Sequence, residues 1–287
     1  MEVKRHIPNL ITLGNLACGF LAVLTALGAI DEPPFGLSGV EFVGWLVGLA
    51  LVFDFADGFV ARALGVTSEV GKQLDSLSDL VTFGVLPGVL MFLVIDAGLE
   101  LGKNFSSDPY SSDPGPSYPF LPYIALLLPL ATAYRLAKFN IDEGPNDVFR
   151  GLPSPASGLF FLSVYLIATL ERGLDTFMPS PSDPAFASGG LPDSGIAFYE
   201  IFLFDLASPF PAAIAVILFS ALMLSKLPLL ALKFKTFAPK PNLARYLFLG
   251  ISLILLLVLR YKAVPAIMVL YFLLSFIDHK LLKRDKS

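Results

Sequence analysis

The chain has 287 residues, 55% of them hydrophobic, a formal net charge of −4 and a mean hydropathy of +0.73. This composition excludes an ordinary soluble domain and points to a polytopic membrane protein. The charges are sorted by location, so their sum says little, and no nucleic-acid partner is expected. A single cysteine, Cys18, excludes an internal disulfide and falls in an apolar run where it packs as a small hydrophobe.

The chain opens on a short charged segment followed by an apolar run from Leu10 to Ile30. That run is longer than a signal-peptide core and is interrupted by Asn15, so it reads as a retained first span. Seven more apolar segments have roughly the length a bilayer requires: residues 41–62, 75–98, 119–139, 155–172, 200–226, 244–260 and 263–279. Backbone polar groups must be satisfied inside lipid, so each reads as a helix. The expected fold is all-α, a polytopic membrane bundle of about eight transmembrane helices forming a single domain over residues 1–287. The last two spans are joined by a very short turn near Tyr261–Lys262 and should form an antiparallel pair.

Placing both termini in the cytoplasm puts sixteen of the 20 lysines and arginines on that side. The opposite side keeps Lys103, Arg172, Arg260 and Lys262, as the positive-inside rule requires. Residues 103–118 and 173–198, rich in Ser, Pro, Asp and Gly, read as solvated connectors on the far side. No internal repeat supports an inverted-repeat transporter.

The chemistry concentrates between Asp54 and Asp79. Asp54 and Asp57 are three apart at the end of the second span; Asp75 and Asp79 are four apart at the start of the third. Each pair shares a helical face, and two antiparallel helix ends can aim all four carboxylates into one pocket. Carboxylates at the edge of a bilayer core need partners. Oxygen-rich clusters suit hard divalent ions, Mg²⁺ or Mn²⁺. Gly58, Ala61 and Gly71 leave room for a flat ring or a pyrophosphate. The competing reading is an acid cluster neutralised by Arg62, Lys72 and their basic neighbours.

The string D-x2-D-G-x2-A-R-x8-G-x3-D-x3-D, met here by Asp54, Asp57, Gly58, Ala61, Arg62, Gly71, Asp75 and Asp79, resembles the signature of the CDP-alcohol phosphotransferases. The resemblance implies that Asp54, Asp57 and Asp75 hold a binuclear metal site. It implies that Asp79 is the general base and also touches a metal. It further implies that Gly58, Ala61, Arg62 and Gly71, with Asp57, seat the cytidine diphosphate part of the donor, and that the protein is a homodimer.

Three further segments bear on the acceptor. Asn9, Thr12 and Asn15 recur every three residues on the first helix; they either line a substrate face, with Asn9 and Thr12 on the donor, or bond between helices. Tyr134–Asn140 ends the fourth span. Its Arg135 either snorkels to headgroups or faces inward to grip a carboxylate or phosphate. Phe149–Gly158 follows, and its Gly151, Pro153 and Pro155 are expected to stiffen a loop roofing the pocket. Together these segments resemble the integral-membrane phosphatidylserine synthase branch of the same family, over about residues 7–160. The resemblance implies an enzyme transferring a phosphatidyl group from CDP-diacylglycerol to L-serine, with Arg135 and, less directly, Asn140 at the serine. Lys138 stands where that branch would have arginine, which removes a forked contact there. Siblings taking glycerol 3-phosphate or inositol phosphate, and a cation transporter, are the alternatives. A covalent phospho-histidine route finds no support: His6 and His279 sit at opposite ends of the chain, outside any such motif.

Overall fold

The computed structural model describes residues 2–66, 68–106, 117–141, 149–172, 199, 202–203, 205–229 and 243–284. Connector 173–198 and most of 103–118 lie outside these residues. Helix α1 is Glu2–Ala26, α2 Gly39–Leu64, α3 Glu69–Leu80 and α4 Leu86–Ser106. Helix α5 is Leu127–Ile141, entered through a 3₁₀ turn over Leu121–Leu126; α6 is Ser154–Arg172 and α7 Pro209–Leu224. Helices α8, Leu243–Leu259, and α9, Ala263–Arg284, follow.

Among the described residues, five stretches are long and apolar enough to cross a membrane: His6–Ala26, Gly39–Leu64, Glu69–Leu101, Leu121–Ile141 and Arg245–Ile277. The last contains two helices, α8 and α9, broken by a 3₁₀ turn at Arg260–Lys262 where Arg260 takes φ +53°. Two shorter apolar helices lie at Ser154–Leu170 and Pro209–Leu224. The eight expected apolar segments are thus eight apolar helical segments, and the protein is a polytopic helical membrane protein. The sixth is shorter than its sequence pattern: α7 begins only at Pro209, after a turn at Ala207–Ser208. Its 16 residues span about 24 Å, less than a bilayer core of about 30 Å.

Local signals set the element ends. Ser38 and Glu41 form a reciprocal capping box at the start of α2. Gly65, at φ +63°, ends α2 in the left-handed conformation glycine tolerates best. Its N–H donates to the Arg62 carbonyl at 3.2 Å, and Val66 N–H donates to Ala61 at 3.0 Å. Ser68 then caps α3 by accepting the Gly71 N–H at 2.9 Å. Two strong caps a few residues apart make a tight reversal, so the end of α2 and the start of α3 stay side by side.

Helix α1 packs along α2 and also touches α3, while α4 packs against α6 and α7. Between α3 and α4 lies one π-helical stretch, Val81–Val85, whose Thr82, Phe83 and Gly84 are buried. The core sits here. A Cβ on Gly84 would meet the Thr132 side chain at 3.0 Å, one on Gly88 would meet Pro129 at 3.0 Å, and one on Gly158 would meet Phe83 at 3.0 Å. Small residues let helices approach closely where burial of apolar surface offers no drive. The Gly84–Gly88 pair therefore serves contacts within the chain. A Cβ on Gly48, by contrast, would meet no atom of another described segment within 4 Å.

A two-residue antiparallel pair, Phe149–Arg150 with Pro228–Leu229, fastens the loop before α6 onto the chain leaving α7. Gly151 N–H donates to the Leu227 carbonyl and Leu152 N–H to the Leu222 carbonyl, both at 3.1 Å. Gly151 takes φ +76°, and a Cβ there would lie 2.6 Å from the Met223 carbonyl oxygen. Only glycine fits.

Candidate active site

The end of α2, the start of α3 and the first half of α1 meet at one end of the bundle. Asp54, Asp57 and Asp75 each offer a carboxylate oxygen, and these atoms lie within 4.8 Å of one another. Asp57 is buried; Asp54 and Asp75 are half-buried. Asp79, one turn beyond Asp75, lies beside Asp54 and so joins the cluster. Four carboxylates this close repel one another unless a cation lies among them.

Protein cations do not fill that role well. Arg62 acts on Asp57 but is exposed, and its guanidinium folds back over Gly58. Lys72 donates its ammonium to the Asn140 carbonyl at 3.0 Å. The three oxygens of Asp54, Asp57 and Asp75 are the donor set a hard divalent cation takes. The residues therefore fit such an ion.

The polar stripe of α1 bonds between helices, and its targets are the carboxylates themselves. Thr12 donates to Asp57 at 2.5 Å. Asn15 donates its amide to Asp79 at 3.4 Å. Ser78 and Thr82 tie α3 and the π stretch back to the Thr12 and Asn15 carbonyls, at 3.0 and 3.3 Å. The stripe thus fixes both aspartate pairs from the side opposite solvent.

Beside the cluster opens a cleft of about 480 Å³, walled by Asn9, Thr12, Asp57, Gly58, Ala61, Gly71 and Asp75. Pro8, Val66, Ser68, Glu69 and Lys72 complete it. Arg62, the residue after Ala61, does not line this cleft. Ser68, the serine directly before α3, is an N-cap signal readable in the sequence. The loop over Gly151, Pro153 and Pro155 does not wall this cleft, contrary to the expected roof. Its docking onto residues 222–229 sets Ser154 against Arg135 instead.

Arg135 faces inward. One terminal nitrogen, Nη1, donates to Ser154 at 3.2 Å, its buried Nε has no hydrogen-bond partner among the described residues, and it lies within Coulombic range of Asp79 and Tyr271. Asn140 is elsewhere: its amide donates to Ser76 at 2.9 Å. Five residues at about 100° each turn it well away from Arg135. Asn140 and Lys72 thus latch the end of α5 to α3. Lys138 is exposed.

A family model described as CDP-alcohol phosphatidyltransferase matches residues 5–180, more than half of the chain. The chain belongs to the CDP-alcohol phosphatidyltransferase family. The matched span holds the whole aspartate cluster, Arg135 and Ser154. Proteins of this family use a divalent metal, in keeping with the donor set above. Among relatives of this member, the CDP-diacylglycerol–serine O-phosphatidyltransferase of Bacillus subtilis is 31% identical over 185 residues, covering 61% of this chain and 87% of that one. The protein of the same name from Helicobacter pylori is 30% identical over 164 residues, 56% of this chain and 57% of its own length. The archaetidylserine synthase of Methanothermobacter thermautotrophicus is 29% identical over 164 residues, covering 56% and 58%. The chain therefore aligns with little more than half the length of the last two.

Proposed function

We propose that this family member transfers the phosphatidyl group of CDP-diacylglycerol to the hydroxyl of L-serine, releasing CMP. The observation that carries the reading is the carboxylate cluster at the mouth of a nucleotide-sized cleft, with one inward arginine beside it. The shared name of several relatives, phosphatidyl or archaetidyl transfer to serine, supports serine as acceptor. A site built on one arginine suits a carboxylate better than the phosphate of glycerol 3-phosphate or inositol phosphate, which calls for more positive charge.

In this reading the diphosphate lies against Asn9, Thr12, Gly58, Ala61, Arg62 and Gly71, near Asp57, and the acyl chains stay in the bilayer. Asp54, Asp57 and Asp75, with Asp79 at their edge, hold two divalent ions, Mg²⁺ or Mn²⁺. Such ions, when bound, neutralise the charge that develops on phosphate oxygens during displacement. Arg135 orients the serine carboxylate, and Asn140 stands behind it as the latch of α5. Asp79 accepts the proton of the serine hydroxyl. That oxygen bonds to the phosphorus carrying diacylglycerol, and the phosphoanhydride bond to CMP breaks. The products are phosphatidylserine and CMP.

The whole chain, residues 1–287, acts as one membrane-embedded domain; α9 packs on α6 and on the β pair beyond the matched segment. It sits in the cell (inner) membrane as a homodimer, its site facing the cytoplasm, where sixteen of the 20 basic residues cluster.

The test is an acceptor panel: purified protein, CDP-diacylglycerol, and serine, glycerol 3-phosphate or inositol phosphate in turn. CMP release with serine alone is expected. Release with glycerol 3-phosphate but not serine would overturn the acceptor. Metal uptake into vesicles without any CMP would favour a transporter.

A narrower prediction concerns Gly71. A Cβ there would lie 3.0 Å from both Asn9 Oδ1 and Ser68 Oγ. Gly71→Val should push Asn9 off the cleft wall and raise the KM for CDP-diacylglycerol about tenfold, with kcat much less affected. Steady-state kinetics at saturating serine measures it.

A further inference from the structure

We propose that Thr82 is a positioning residue for the general base, acting through Asn15. This inference rests on the assignment of Asp79 as base. It adds a part of the machinery that lies outside the aspartate signature, in the π-helical stretch that follows it.

The chain of contacts is short. Thr82 Oγ1 lies 2.9 Å from Asn15 Oδ1 and 3.3 Å from the Asn15 backbone carbonyl oxygen, and its one proton points to the nearer, Oδ1. The Asn15 amide nitrogen donates to Asp79 Oδ1 at 3.4 Å. Asn15 is fully buried and Thr82 is 1% exposed, so water does not substitute for the contact between them; the contact to Asp79 is part-buried. Rotating the Asn15 amide by half a turn would set its oxygen against the carboxylate oxygen of Asp79, acceptor facing acceptor. The Thr82 hydroxyl, donating to Oδ1, holds the amide the right way round. One oxygen of Asp79 is thereby held from α1, which fixes the orientation of the carboxylate.

The backbone around Thr82 is arranged for this contact. Val81–Val85 winds as a π-helix, with the Leu86 N–H donating to the Val81 carbonyl. Single π turns insert a residue into a helix and are common at functional sites. Across the interface, Gly19 of α1 gives Thr82 its space, since a Cβ on Gly19 would collide with Thr82 Oγ1 and approach its Cα to 3.1 Å. A merely structural serine or threonine in a membrane helix more often bonds its own helix's carbonyl four residues back. Thr82 instead crosses to α1.

Four variants test the relay in serine-dependent CMP release by the full-length protein. Thr82→Val keeps the shape and removes the donor; it should lower kcat about tenfold and leave both KM values within about twofold. Thr82→Ser restores the hydroxyl and should recover kcat to within about twofold of wild type. Asn15→Ala should lose at least as much as Thr82→Val, and the double variant no more than Asn15→Ala alone, because the two act as one unit. Should Thr82→Val fail to fold, Gly19→Ala, which displaces the Thr82 hydroxyl from the neighbouring helix, should give the same kcat loss. An unchanged kcat in Thr82→Val, losses that multiply in the double variant, or a serine variant no better than valine would overturn the relay. Wild-type protein inactive with serine would sink the acceptor assignment instead, and the relay would then be read with whichever alcohol reacts.

Discussion

Asp79→Asn is expected to lower turnover about 10³-fold while CDP-diacylglycerol affinity stays within about threefold of wild type, the signature of a lost general base. The substitution keeps the size of the side chain and its place between Asn15 and Asp54. It removes the lone pair that accepts the hydroxyl proton. Asp79 is the one carboxylate of the four that Arg135 feels directly, so it stands between the cluster and the proposed serine carboxylate. The measurement is twofold: pre-steady-state CMP release for the chemical step, and equilibrium binding of the donor for affinity. A variant that loses donor binding in proportion to turnover would make Asp79 a ligand for substrate or metal rather than a base.

Asp75→Asn should act on a different quantity. Asp75 brings the oxygen that α3 contributes to the group within 4.8 Å, and Asp54 and Asp57 bring the two from α2. Losing that ligand removes the crosslink between the two helix ends. Apparent affinity for Mn²⁺ should fall at least 100-fold, since even outer partners of metal ligands contribute 10- to 100-fold. Turnover at low Mn²⁺ should vanish and return in part at high Mn²⁺. Metal-free protein should meanwhile unfold at a temperature no lower than wild type, because one of four mutually repelling carboxylates is gone. Activity loss without stability loss marks a site kept for function. If Asp75→Asn kept the wild-type Mn²⁺ dependence, the metal assignment of the cluster would fail.

Much of this was legible in the sequence because two rules are rigid. A bilayer fixes the length of each apolar run, so Leu10–Ile30 or the closely spaced pair around Tyr261–Lys262 could be read directly. The fixed spacing from Asp54 to Asp79 brings two helix ends together by local geometry, and the structure shows Gly65 and Ser68 capping the turn between them. What could not be read depends on contacts between distant segments. Asn140 shares a short string with Arg135, but the helix turns it towards Ser76 and Lys72. Gly151 looked like a stiffener of a roof; its φ of +76° serves a pairing with a strand almost eighty residues later. The shortened α7 and the π stretch at Val81–Val85 leave no periodic trace, since each is set by what packs against it. Ser154 carries no signal at all until the loop before it is docked.

The most direct test is structural: anomalous scattering from Mn²⁺ in crystals of the full-length protein with CDP-diacylglycerol. A peak within about 2.5 Å of carboxylate oxygens from Asp54, Asp57 and Asp75 together, with the diphosphate beside it over Gly58 and Gly71, is the expected result. Mn²⁺ bound elsewhere, or a nucleotide seated away from an ion-free cluster, would contradict it.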